Sequence, residues 1–151
     1  MLQAHEILTL DLLTLREHTE QAGDLLDPER LRQSIERLLP LSEVAAVRRD
    51  GALVAYAMLQ PQGDGHWFVT GFNTHPAHRS APVFKSLFVQ LMEIAGRRGI
   101  AALRSHVYKT NRPSMAFHAR LGFQITRENA KGVEFTASVE ELRATGRLAL
   151  R

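Results

Sequence analysis

The pattern of apolar and polar positions divides the 151-residue chain into short periodic segments. Residues 5–10 (His5 to Leu10) predict a first strand, and Asp11 is placed to cap a helix through about Gln21 that buries Leu12, Leu13 and Leu15. Asp27-Pro28 is a second helix start, an aspartate cap followed by proline at the first helical position. Leu31, Ile35 and Leu38 then recur at helical spacing until Pro40. A meander follows. Glu43–Arg48 and Ala52–Leu59 predict two strands joined by the Asp50-Gly51 turn. A second turn at residues 61–65 leads into a third strand, His66–Thr74.

The period then changes. Pro82 opens a helix to about Arg98 with Phe84, Leu87, Phe88, Leu91 and Ala95 on one stripe, and Gly99 supplies the stop. Ala102–Tyr108 predicts a strand, Asn111 caps a short helix through Leu121, and Gly122 ends it. Phe123–Arg127 and Val133–Val139 are two further strands, and Glu140–Arg151 is a terminal helix or tail. The order β-α-α-β-β-β-α-β-α-β-β is mixed α/β. Hairpins followed by a strand-helix-strand crossover call for a sheet antiparallel on one side and parallel in the middle, within one domain over 1–151.

Composition narrows the chemistry. The chain has no cysteine, which excludes a disulfide scaffold, a thiolate zinc site and a cysteine nucleophile. The net charge is +3, but lysine and arginine are scattered and no basic helix interleaves with aromatics, so no nucleic-acid face is expected. Seven histidines lack the paired helical spacing of a metal site, and none is predicted. Residues 1–6 carry no basic n-region and no apolar run, so neither a signal peptide nor a membrane segment is expected, and the expected setting is cytoplasmic.

The most informative segment is Asn111-Arg112-Pro113-Ser114-Met115-Ala116-Phe117-His118-Ala119-Arg120-Leu121-Gly122-Phe123. Asn111, Ser114 and His118 are three and four residues apart and share one helix face, while Phe117 and Leu121 form an adjacent apolar face. This segment resembles the pattern N-x-x-(S/A)-x-x-(F/L)-Y-x-x-x-G-F of the GNAT family of N-acetyltransferases, with His118 in the tyrosine position. The element order resembles that fold from end to end. Thr74 to Phe84 is similar to the family's coenzyme A pyrophosphate loop, with Pro76 and Arg79 as its lead-in. Two residues depart from that loop: Pro82, which has no N–H, and Phe84, which stands where a small residue is usual.

The resemblance implies transfer of an acetyl group from acetyl-CoA to a primary amine by direct attack. Cofactor contacts are then expected at Phe72, Asn73, Thr74, Arg79, Ser80, Ala81, Val83, Phe84, Lys85, Asn111 and Ser114. It implies His118 as proton donor to the departing thiolate. His75 is the best local candidate for the base, because the strand 66–74 contains no carboxylate; His106 and Tyr108 are others. The acceptor is expected to be a small-molecule or peptide amine, and a homodimer is a family-level expectation. A GNAT-fold module that binds CoA weakly or not at all, and an enzyme for longer acyl groups, stay open.

Overall fold

A computed structural model of the chain describes residues 2–149. Helices α1 (Ala4–Gln21) and α2 (Pro28–Leu38) precede the antiparallel strands β1 (Glu43–Arg49), β2 (Ala52–Gly63) and β3 (His66–Thr74). Then come α3 (Ala81–Arg98), β4 (Ala102–Tyr108), α4 (Arg112–Leu121), β5 (Gln124–Glu128), β6 (Gly132–Ser138) and α5 (Val139–Ala149). Among the described residues six strands form one sheet in the order β1-β2-β3-β4-β6-β5, with β3 and β4 its one parallel pair. The predicted terminal segment is helical as far as residue 149; residues 150 and 151 lie outside those described.

One expectation is corrected. Residues 5–10 are not a strand but the first turns of α1, and Asp11 lies inside that helix rather than at its cap. The helix starts instead at Gln3, in a capping box in which the Gln3 amide donates to Glu6. Ile7, Leu10, Asp11 and Thr14 are its buried stripe, spaced three and four apart, so a carboxylate occupies a core position. That polar break in an otherwise helical pattern is what resembled a cap.

The helices cover both faces of the sheet. Along β2, Leu53, Tyr56 and Met58 pack beneath α1 and α2 with Ile7, Leu10 and Ile35. Val54, Ala55, Ala57 and Leu59 join the larger core, to which α3, α4 and α5 contribute Val83, Leu87, Leu121 and Leu142. The β2 strand is thus apolar on both faces, as a central strand must be. Helix α3 is fixed at its far end by Arg97 and Arg98, which pair with Glu43 at 3.0 and 2.8 Å. Midway, the Gln90 amide donates to and accepts from the backbone of Ala46 on the edge strand β1. Gly99 closes it in the left-handed conformation (φ 64°) that favours glycine.

Candidate active site

The site begins where the sheet stops being continuous. Strands β3 and β4 pair from His66–Ala102 to Val69–Ser105 and then separate, although both run on, to Thr74 and Tyr108. The separation follows an irregularity in β3 between its pairing with Met58 and Leu59, which leaves Thr70 out of register. Gly71 sits there because the Tyr56 ring lies against it: a Cβ at this position would come within 2.8 Å of the Tyr56 hydroxyl. The close approach at Gly71 is therefore made by a side chain.

Two helices start beside this gap. Helix α3 begins at Ser80, whose side chain makes no cap, and α4 begins at Asn111, whose Oδ1 accepts from the Ser114 amide at 3.3 Å. Neither has an acidic residue in its first turn, whereas α1, α2 and α5 have Glu6, Glu29 and the pair Glu140 and Glu141. Positive helix ends left unneutralised favour an anion between them. Ala81 and Val83 carry the uncommitted amides of α3; Pro82 has none, and the Phe84 amide is bonded to the Ser80 carbonyl at 3.1 Å. Arg79 and Lys85 stand exposed nearby.

Of the residues expected to hold a cofactor, Phe72, Asn73, Thr74, Arg79, Phe84, Asn111 and Ser114 line one cleft, together with Pro113 and Phe117. It has a volume of about 50 Å³, room for a few waters at about 10–15 Å³ each and too little for a pantetheine arm. Aromatic rings set this limit. Phe117 lies 4.6 Å from Phe84 and stacks on Phe72 at 5.6 Å. Behind Phe72 and Phe117 is an apolar cavity of about 40 Å³, bounded also by Leu103, Phe123 and His118. The two rings line both spaces and form the wall between them.

His118 belongs to the inner cavity. It is 5% exposed and stacked on Phe135 at 4.9 Å. Its Nδ1 faces the Ser114 carbonyl at 2.8 Å, a contact only an N–H can make, so Nε2 accepts from the Ser105 hydroxyl at 3.1 Å. Burial lowers its pKa below the ordinary value, opposed by the bond to Ser114, so the ring is neutral at pH 7. His75 is placed outside the cleft. It caps the short turn Pro76–His78, and its Nδ1 accepts from the Ala77 amide at 3.0 Å. That bond occupies the lone pair a base uses. His106 is exposed and contacts Glu134 at 3.2 Å, and the Tyr108 hydroxyl donates to Asp24 at 2.7 Å.

What the sequence reading missed lies on the other face of β3. Asp11, 3% exposed, accepts at Oδ1 from the Tyr56 hydroxyl (2.6 Å) and the Asn73 amide (2.8 Å). Burial pushes its carboxyl up to about 6, against the pull of those two bonds. Burying a carboxylate with neutral partners is costly, and such groups concentrate at functional sites. An aspartate on the buried stripe of a leucine-rich helix was the available signal.

The model of the acetyltransferase (GNAT) family matches residues 7–123. The chain belongs to the GNAT family. Solved GNAT structures share its fold. The PaiA N-acetyltransferase of Thermoplasma acidophilum, in complex with coenzyme A, superposes with a TM-score of 0.70 at 14% identity, over 89% of this chain and 92% of that one. A GNAT acetyltransferase of Staphylococcus aureus Mu50 gives 0.72 at 11%, over 90% and 92%. An aminoglycoside 6'-acetyltransferase type Ii gives 0.69 at 16%, over 90% and 89%. No curated relative matches the sequence itself. Among the described residues no helix is long and apolar enough to cross a membrane.

Proposed function

We propose that the chain transfers an acetyl group from acetyl-CoA to a primary amine. The observation that carries this reading is the gap between β3 and β4 beyond Val69 and Ser105, opening beside two helix starts without acidic residues. The pyrophosphate sits at the Ala81 and Val83 amides, with Arg79 and Lys85 adding charge. The pantetheine arm runs between β3 and α4, past Phe72, Asn73 and Thr74 on one side and Asn111 and Ser114 on the other. To admit it, Phe84 and Phe117 must turn aside.

The inner cavity of about 40 Å³ suits an acetyl group better than a long acyl chain. His118, neutral and bonded at both nitrogens, is read as a positioning residue that fixes Ser114 against Ser105 rather than as the direct proton donor. The acceptor is a small-molecule or peptide amine, and a cytoplasmic setting and pairing of two copies along an edge strand belong to the same reading.

A second reading is favoured by the closed aromatic stack and by Pro82: a GNAT-fold module with little affinity for CoA. Melting with and without acetyl-CoA, and thiol release over a panel of amines, separate the two. A native-state ligand at a hundred times its Kd adds about 2.7 kcal/mol. Enzyme activity predicts both a raised melting temperature and amine-dependent thiol release; no shift with millimolar acetyl-CoA leaves only the module.

A further inference from the structure

One buried hydroxyl at the gap has no part in the transfer reaction. Ser105 is 4% exposed and is the last residue of β4 to pair with β3, opposite Val69. Beyond that pair the two strands separate. Val69 and Leu103 line the inner cavity together with Phe72 and His118. Ser105 follows Leu103 by two along β4, so its side chain leaves the sheet on the same face, at the apex of the gap.

The hydroxyl donates to His118 Nε2 at 3.1 Å. His118 is held from behind: its Nδ1–H donates to the Ser114 carbonyl at 2.8 Å and lies 3.3 Å from the Ser114 hydroxyl. The stack on Phe135 and the edge contact with Phe123 fix the plane of the ring. These are the three parts of an activated serine: a hydroxyl, a neutral imidazole whose lone pair faces it, and an acceptor that sets the tautomer. Burial keeps the ring unprotonated, so that lone pair is present at pH 7.

We propose that Ser105 and His118 form a nucleophilic dyad that hydrolyses the acetyl thioester when no amine is seated. The proposal rests on the acetyl-CoA reading, which delivers the thioester to the gap. With Phe84 and Phe117 turned aside, an acetyl group entering the inner cavity comes against Ser105. The Ser105 Oγ attacks the carbonyl carbon, and its proton passes to His118 Nε2. The C–O bond forms, and the C–S bond breaks with its electron pair on sulfur. Nε2 gives the proton to the thiolate, leaving CoA thiol and acetyl-Ser105. Water then attacks the ester while Nε2 takes one of its protons. The ester C–O bond breaks, the Ser105 Oγ takes that proton back from Nε2, and acetic acid leaves.

The main chain of β3 suits the charge that develops on the carbonyl oxygen. Beyond Val69 it runs on to Thr74 without a β4 partner, so the amides that face the gap are open to an oxyanion. The acceptor behind His118 is a carbonyl rather than a carboxylate, and burial disfavours the imidazolium formed in each half of the reaction. Hydrolysis is therefore slow beside transfer to a bound amine, during which the pair only holds Ser114 and Ser105 in place.

The test follows acetyl-CoA in amine-free buffer, reading thiol and acetate, with acetyl-CoA binding read by melting. The native chain should form the two products in equal amounts. Ser105→Ala should lower the rate about a hundredfold, or to the buffer background, while binding acetyl-CoA within about threefold of the native chain. Acid quenching and digestion with pepsin should find an acetyl ester on Ser105 of the native chain. Ser105→Cys keeps a nucleophile beside His118 and should carry the acetyl group at the same position as a thioester. These two labels do not depend on Ser105→Ala folding. Native-like hydrolysis in Ser105→Ala overturns the dyad and leaves acetyl transfer standing. So does a native chain that binds acetyl-CoA yet releases no thiol without amine, or an acetyl group found at position 105 of neither the native chain nor Ser105→Cys. A native chain that acetyl-CoA does not stabilise overturns both readings.

Discussion

Phe84 is the residue whose removal tests how the cleft opens. Its ring lies 4.6 Å from Phe117, tilted by 32°, and Phe117 in turn stacks on Phe72. Each aromatic contact of this kind contributes about 0.5–1.5 kcal/mol beyond area burial. If the pantetheine arm enters only when Phe84 turns away, that contact is lost on every binding event. Phe84→Ala abolishes the loss in advance, so acetyl-CoA should bind about two- to tenfold more tightly. The same substitution removes a half-buried ring, so the free protein should be less stable by roughly 1–2 kcal/mol. Calorimetric titration with acetyl-CoA measures the first effect and urea unfolding the second. The two signs are opposite, so a general loosening of the fold cannot imitate the result. Weaker binding by fivefold or more in Phe84→Ala would show the ring to be part of the cofactor wall, and the gating argument would be refuted.

Three further outcomes follow from the geometry. Pro82→Ala restores an amide at the start of α3 and should tighten acetyl-CoA by about two- to tenfold, read by the same titration, for one added hydrogen bond of about 0.5–1.5 kcal/mol. His118→Phe strands the Ser105 hydroxyl in the core and should cost roughly 1–3 kcal/mol of stability in urea unfolding, with Ser114 less well fixed and turnover lowered. Asp11 makes stability depend on pH. Its folded-state value, about 6, exceeds the unfolded one, so its stabilising contribution is present in full below about pH 3.8 and is lost as pH rises through about 6. Two units correspond to about 3 kcal/mol. Asp11→Asn should therefore gain stability over the native chain as pH rises from 4 to 7.5; a constant difference between the two would contradict the buried charge.

The middle of the chain was legible in the sequence because its signals are local. Asp50-Gly51 is the turn between β1 and β2, Asn111 caps α4, and Gly99 and Gly122 end α3 and α4 in left-handed conformations. The N-terminus misled for a physical reason. Asp11 interrupts a run of leucines, and a carboxylate is far commoner at a cap than in a core. Its place on the buried stripe depends on Tyr56 and Asn73, which lie 45 and 62 residues away, and no local pattern reveals such partners. The aromatic stack was equally hidden. Phe84 was legible as a departure from the loop pattern, but its contact with Phe117 arises only when α3 and α4 meet at the gap. His118 was legible as a member of the α4 face, whereas its burial against Phe135 comes from β6. The residues that local rules misplace are thus those set against their own environment, as functional sites commonly are.

A crystal structure of the chain grown with acetyl-CoA is the most direct measurement. The account predicts the pyrophosphate at the Ala81 and Val83 amides, the pantetheine arm between β3 and α4, and the Phe84 and Phe117 rings turned apart. Coenzyme bound elsewhere, or the Phe72–Phe117–Phe84 stack intact at saturating acetyl-CoA, would contradict it.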